Sequence, residues 1–219
     1  VLTDRTVEIG FTTYGPIANL RLAFAVENKD IVVSDLKLKI RHENGDAKVF
    51  AWKGITQQVG KMTMPDRNVM PFEKEQSVLA IKLSQRDIEE RFIRFQESSY
   101  TDKQAEYVNC ATKKMSYLKS EGKYEVYSFL REQEMVDLYD FNKHAFSWRP
   151  GKYTMTIEIS SPVKFDILDE KREFSLSPLD VERLASNKDS LEEDYKRIVI
   201  GEISEDKKII WNWVNPTLL

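Results

Sequence analysis

Cysteine is almost missing from this chain. Cys110 is the only one in 219 residues, and only two histidines accompany it. One cysteine cannot form an internal disulfide, which excludes the disulfide-stapled secreted scaffolds and, with them, cysteine-rich zinc sites. No apolar run approaches the ~18 residues that a membrane-spanning helix needs. No sequon for N-glycosylation occurs either, because Asn215-Pro216-Thr217 is blocked by its proline. Positive charge is not in excess: the net charge of −3 leaves no basic footprint for nucleic acid. Catalytic motifs are equally scarce. There is no G-x-S-x-G elbow, no H-E-x-x-H pair, no P-loop and no G-x-G-x-x-G turn.

What is present suits a folded domain. Hydrophobic residues make up 41% and charged residues 32%, enough for a real core and too apolar for wholesale disorder. The length fits one large domain, or a domain with a sizeable insertion. One region is lopsided. Asp166 to Asp194 holds ten acidic residues against four basic ones, a pattern that fits a solvated helix face. The chain begins at Val1 rather than methionine, and we expect an upstream segment, a signal peptide or N-terminal anchor, to have preceded it.

Periodicity places the elements. Leu20, Leu22, Phe24 and Val26 alternate with Arg21, Ala23, Ala25 and Glu27, which predicts a strand with one buried face. Residues 36–53 predict a hairpin closed by Asn44-Gly45 in a type I′ turn. Residues 56–71, with Gly60, Pro65 and Pro71, predict a loop or frayed edge. A strand is expected from Ser77 to Leu83, with Leu79, Ile81 and Leu83 on one face. Two capping-box patterns, Ser84 to Asp87 and Thr101 to Gln104, then predict a helical hairpin over 84–121. Its second helix would carry an apolar stripe of Ala105, Val108, Ala111, Met115 and Leu118. Residues 124–139 fit helix or strand, with strand favoured for 132–139. Strands are expected again from Tyr153 to Ile159, near 163–168 and at 172–176. Ser177-Pro178 opens a helix, which Ser186-Asn187 would break. A terminal hairpin is expected from 196–203 and 207–214.

Strands broken by one helical pair suggest a β-sandwich with an insertion. Within it, Pro150-Gly151-Lys152-Tyr153 resembles the tyrosine corner of immunoglobulin-like sandwiches, in which the tyrosine hydroxyl bonds back to the upstream backbone. Met155 stands where an antibody domain carries its second cysteine, so the resemblance is to a disulfide-free relative, with Trp52 or Trp148 as the core tryptophan. The stretch from Leu20 to Ile40 resembles the paired B and C strands of bacterial immunoglobulin-like modules. A weaker similarity, at Tyr14-Gly15-Pro16, Asn28-Lys29-Asp30 and Phe50-Ala51-Trp52, is to uncharacterised bacterial proteins with a membrane anchor and a soluble β-domain. The resemblance implies a mainly β fold with helical additions. In it, an immunoglobulin-like β-sandwich over 1–176 carries the helical insertion at about 84–121. A C-terminal helix and β-hairpin over 177–219 pack on the same domain. It also implies a soluble domain held outside the bilayer.

Candidate chemistry is sparse. His42 sits beside Glu43 at a hairpin tip. Asp140, Asn142 and His144 could meet a cation from one face of an extended segment, but two or three oxygens fall short of the ~6–8 that calcium takes. Cys110 lies mid-helix, where a small core residue is the default. The carboxylate pairs Glu89-Glu90, Asp169-Glu170 and Glu192-Glu193 are neighbours on expected surfaces. A glycosidase would need two carboxyls facing each other across a cleft. Trp211 and Trp213 share strand parity and could stack on sugar rings or close the core. These patterns favour a non-catalytic binding or assembly module with a protein partner, reached through the helices or a sheet edge, with no metal, cofactor or nucleic acid. The alternative is a carbohydrate-binding or glycan-hydrolysing domain that uses Trp211 and Trp213.

Overall fold

A computed structural model describes residues 1–27, 29–63, 69–76, 79–165, 171–200 and 209–219. The strands are β1 (Leu2–Thr3), β2 (Glu8–Thr12), β3 (Gly15–Phe24), β4 (Ile31–Val33), β5 (Asp35–His42), β6 (Ala47–Thr63), β7 (Val69–Gln76), β8 (Ile81–Leu83), β9 (Glu89–Glu97), β10 (Gly151–Ser160), β11 (Lys171–Leu176) and β12 (Trp213–Val214). The helices are α1 (Ser98–Ser120), α2 (Val126–Phe129), α3 (Gln133–His144), α4 (Pro178–Ala185) and α5 (Lys188–Ile200). The protein is thus mainly β with several helices.

Ten strands form one antiparallel sheet in the order β11-β10-β5-β6-β9-β3-β2-β12, with β1 beside β3 and β7 beside β6; β4 and β8 form a separate pair. The sheet curls around a single core. Ile9 and Phe11, Leu20 and Leu22, Leu38 and Ile40, Ile93 and Phe95, Met155 and Ile157, and Phe174 and Leu176 reach it from six strands along that path. Alternation explains the selection: residues of one parity face inward and the other parity faces out. Each fully buried Leu, Ile or Phe contributes roughly 1.5–3 kcal/mol.

The two ends of the curled sheet meet through the last residues. Val7 N–H donates to the Pro216 carbonyl (3.2 Å) and Leu218 N–H to the Arg5 carbonyl (2.8 Å), while Leu219 and Glu173 exchange two backbone hydrogen bonds (2.8 and 3.1 Å). This tail therefore lies between the approach to β2 and the outer side of β11, and it covers backbone that an open sheet edge would expose.

A second, smaller core lies among the helices. Ala111 of α1, Phe129 of α2, Met135, Leu138 and Tyr139 of α3, and Tyr195 of α5 build it. The α3 residues recur at helical spacing, so one stripe faces this core.

Several expectations hold. Residues 36–53 form the β5–β6 hairpin, although its turn is a three-residue loop rather than type I′. Gly45 N–H bonds to the His42 carbonyl (2.9 Å), His42 N–H to the Asp46 carbonyl (2.8 Å), and Gly45 supplies a positive φ, 99°. Ser177 caps α4 through a reciprocal capping box with Asp180, and Ser186 and Asn187 separate α4 from α5. Tyr153 donates to the Arg149 carbonyl and accepts from Arg149 N–H, both at 2.8 Å.

Other expectations are corrected. The first half of the expected helical hairpin is β9, whose Phe92 to Phe95 run pairs on both sides, with β3 and β6. Two ladders and an aromatic, β-branched run outweigh a helical spacing of three residues. The Ser84 box is a turn, in which Arg86 N–H bonds to Ser84 Oγ (3.2 Å). The helical region is thus the single long helix α1; Tyr100 and Ala111 are buried, Gln104, Tyr107, Met115 and Leu118 are half-buried on the same side, and Ala105 and Val108 of the expected stripe are exposed. Residues 133–139 lie in α3 and Glu132 is its N-cap, so this stretch is not a strand. The expected loop at 56–71 is mostly β6 and β7, paired from Ile55–Gln76 to Thr63–Val69, with 64–68 outside the described residues. Pro71 fits there because β7 pairs with β6 alone among the described strands. Leu79 is exposed and precedes β8, while residues 77–78 lie outside the described residues. Residues 163–165 form no strand, and 166–170 lie outside the description, as do Asp169 and Glu170. The terminal hairpin is also revised. Residues 196–200 belong to α5, 201–208 lie outside the described residues, and Trp213 and Val214 pair with Gly10 and Ile9 of β2.

Candidate ligand-binding cleft

The outward parity of β3 begins the site. Ile17 and Asn19 alternate with the core residues Ala18 and Leu20, so they face away from the core. Across the ladders, Ile17 opposes Gly10 of β2, and Asn19 lies between Glu8 of β2 and Arg94 of β9. Gly10 is the low point of this face. It has no side chain, and the six-membered ring of Trp213 occupies the space that a Cβ would take.

Trp211 and Trp213 are held there by a third residue. Asn187, 1% exposed, sits between α4 and α5. Its Oδ1 accepts from Asn212 N–H (2.8 Å), and its Nδ2 donates to the carbonyls of Asn212 and Phe11 (2.9 Å each). One buried amide thereby satisfies both backbone groups of the residue between the two tryptophans.

The result is a cleft of about 430 Å3 lined by both tryptophans, Tyr14, Phe92, Arg94 and Asp194, with Asn19 and Thr12 in its wall. Both indoles are half-buried, and Trp211 also packs against the main core, as the second alternative for it expected, whereas Tyr14 and Ile198 stand exposed at the rim. The Arg94 guanidinium lies 5.2 Å from the centre of the Tyr14 ring, within cation–π range. Asp194 accepts from Thr13 Oγ1 (2.8 Å). Asn19 is 7% exposed; its Nδ2 donates to Glu8 (3.3 Å), while its Oδ1 is buried without a hydrogen-bond partner among the described residues.

Beneath the rim, Thr13 ties the sheet to the helices. Its carbonyl accepts from Gln104, which also donates to the Tyr195 hydroxyl, and the single hydroxyl hydrogen of Tyr100 faces two acceptors, the Thr13 carbonyl (3.1 Å) and Asn142 Oδ1. Burial pushes the Tyr195 phenol up to about 12 and raises Tyr100 further, because the ionised forms would lose hydration. These hydroxyls therefore remain neutral donors.

The remaining candidates do not converge. His42 packs against Tyr153 and faces the Pro150 carbonyl through Nε2 (3.1 Å). Asp140, Asn142 and His144 lie on α3, not on an extended segment. His144 Nδ1 bonds to the Asp140 carbonyl (2.7 Å), and the fully buried Asn142 serves the network below Thr13. Among the described residues, no group of His, Cys, Asp or Glu could hold a metal. Cys110 is exposed on α1, so the core role expected of it is not realised. Glu192 is paired with Lys196 and Lys143, which hold its carboxyl below the usual range.

Sequence reasoning picked out Trp211 and Trp213 but missed Asn19, Arg94, Asp194 and Asn187. Asn19 carries the one available signal, a polar residue on the outward parity of a strand whose other parity is apolar. Asn187 read only as a helix breaker. Compared with protein-family models, with curated proteins and with solved structures, the chain gives no match.

Proposed function

We propose that this protein is a non-catalytic binding module that holds a carbohydrate in the Trp211–Trp213 cleft. The observation that carries the reading is the convergence of both tryptophans with Tyr14, Asn19, Arg94 and Asp194 on one cleft. Aromatic faces stack on the apolar faces of sugar rings, while a few polar groups fix orientation. The non-catalytic half of the reading rests on the acid count. Glycoside hydrolysis uses two carboxyl groups across the scissile bond. Among the described residues the cleft is lined by one, Asp194, which is already engaged by Thr13.

A docking role for α1 has less behind it. Val108 and Tyr117 are exposed, but they are nine residues apart and so project from opposite sides of the helix. For the architecture, we propose the finer immunoglobulin-like reading on the strength of the Tyr153–Arg149 corner.

Calorimetric titration with a panel of neutral and acidic oligosaccharides tests the function. The reading expects at least one to bind, affinity to fall tenfold or more in Trp211→Ala, and no new reducing ends to form. Equal affinity in the wild type and Trp211→Ala contradicts it, as does cleavage of the bound sugar.

A further inference from the structure

Resting on that reading, we infer that Asn19 is a specificity-determining residue of the cleft. In this inference the ligand is a neutral saccharide that donates a hydroxyl to Asn19 Oδ1. The side-chain amide is oriented by its neighbour: Nδ2 donates to Glu8 Oε1 (3.3 Å), which leaves Oδ1 as the end without a partner among the described residues. That oxygen is buried, so bulk water does not satisfy it, and the free protein bears the desolvation penalty of an unmade hydrogen bond. The residue lines the cleft, and in this inference a ligand hydroxyl supplies the missing donor once the side chains that cover Oδ1 shift aside on binding.

The other polar groups narrow the ligand class. Asn19 Oδ1 and the Asp194 carboxylate both accept, so they call for a donor-rich ligand and disfavour a carboxylate at the same place. Among the described residues, Arg94 and Asp194 contribute one charge of each sign to the lining, which balances the pull on an anion. Two indoles supply stacking surface for the ring. A neutral sugar, with several hydroxyl donors and an apolar ring face, meets all three demands. Sites built to hydrogen-bond a hydroxyl reject analogues that lack it far more strongly than apolar pockets reject a missing methylene.

The test uses cello-, malto- and chito-oligosaccharides as neutral probes and an oligogalacturonate as the acidic one. Affinity and thermal midpoint are measured for wild type, Asn19→Leu and Trp211→Ala. We expect Asn19→Leu to lose at least tenfold in affinity for the neutral probe that wild type binds, with a midpoint unchanged or raised, because an unsatisfied buried acceptor has been removed. Monodeoxy versions of that probe, titrated against wild type, should include one with the same loss, an arm that needs no variant to fold. Three outcomes overturn the inference while the cleft reading stands: unchanged affinity in Asn19→Leu beside a loss in Trp211→Ala, a preference for the oligogalacturonate, or a lowered midpoint that marks the amide as structural. If no probe binds wild type, the cleft reading falls and takes the inference with it.

Discussion

The ring of Trp213 lies directly on Gly10, in the space where any other residue would carry its Cβ. The two residues are register partners in neighbouring strands, so the indole is seated by the sheet itself. Gly10→Ala should therefore displace the ring. We expect a loss of about 1–3 kcal/mol, the usual range for overpacking, with weaker ligand binding. Denaturant unfolding followed by tryptophan fluorescence checks the first, and titration checks the second. An unchanged midpoint would mean that the ring has somewhere else to go.

Asn187 should matter as a positioning residue. Replacing it with alanine leaves the Asn212 N–H, the Asn212 carbonyl and the Phe11 carbonyl without their partner. The expected cost is roughly 2–3 kcal/mol. Ligand affinity should fall as well, although Asn187 does not line the cleft. Asn187→Asp keeps the acceptor for Asn212 N–H but loses both donated bonds, and it should recover only part of the stability.

Tyr153→Phe removes the hydroxyl that both donates to and accepts from Arg149. We expect a loss of about 1–2 kcal/mol with no change in sugar binding, because the corner lies outside the cleft. A loss of binding in this variant would place the recognition surface elsewhere.

Alkaline pH should unfold the protein for a definite reason. Burial raises Tyr139 and Tyr195 to about 12 from an ordinary value of 10.0, and it raises Tyr100 in the same direction. Folded-state pKa values above the unfolded ones mean that the native state holds more protons between them. Stability is then fully present below pH 10 and falls as pH rises from 10 through about 12. Tyrosinate absorbance should show part of the nine tyrosines ionising near their ordinary value. The buried group should follow only as the fold opens, in step with the loss of circular dichroism.

Legibility in the sequence followed locality. The β5–β6 hairpin and the strand from Gly151 to Ser160 could be read because glycine turns and strict alternation lie within a few residues of each other. The capping box at Ser177 was legible for the same reason. The central strand β9 was not. Its local pattern fits a helix as well as a strand, and what decides is pairing with β3 and β6, whose partners lie far away in sequence. The site shows the same division. Trp211 and Trp213 are conspicuous by type and spacing. Asn19 and Asn187 are ordinary asparagines until the fold buries them and fixes their partners.

The most direct test of the central claim reads the four tryptophans separately. The indole N–H resonances of Trp52, Trp148, Trp211 and Trp213 can be followed by heteronuclear NMR during titration with the oligosaccharide that binds most tightly. The account predicts the largest shifts at Trp211 and Trp213, saturating with the calorimetric affinity, and little change at Trp52, which does not line the cleft. Saturable binding that leaves Trp211 and Trp213 unshifted would contradict it.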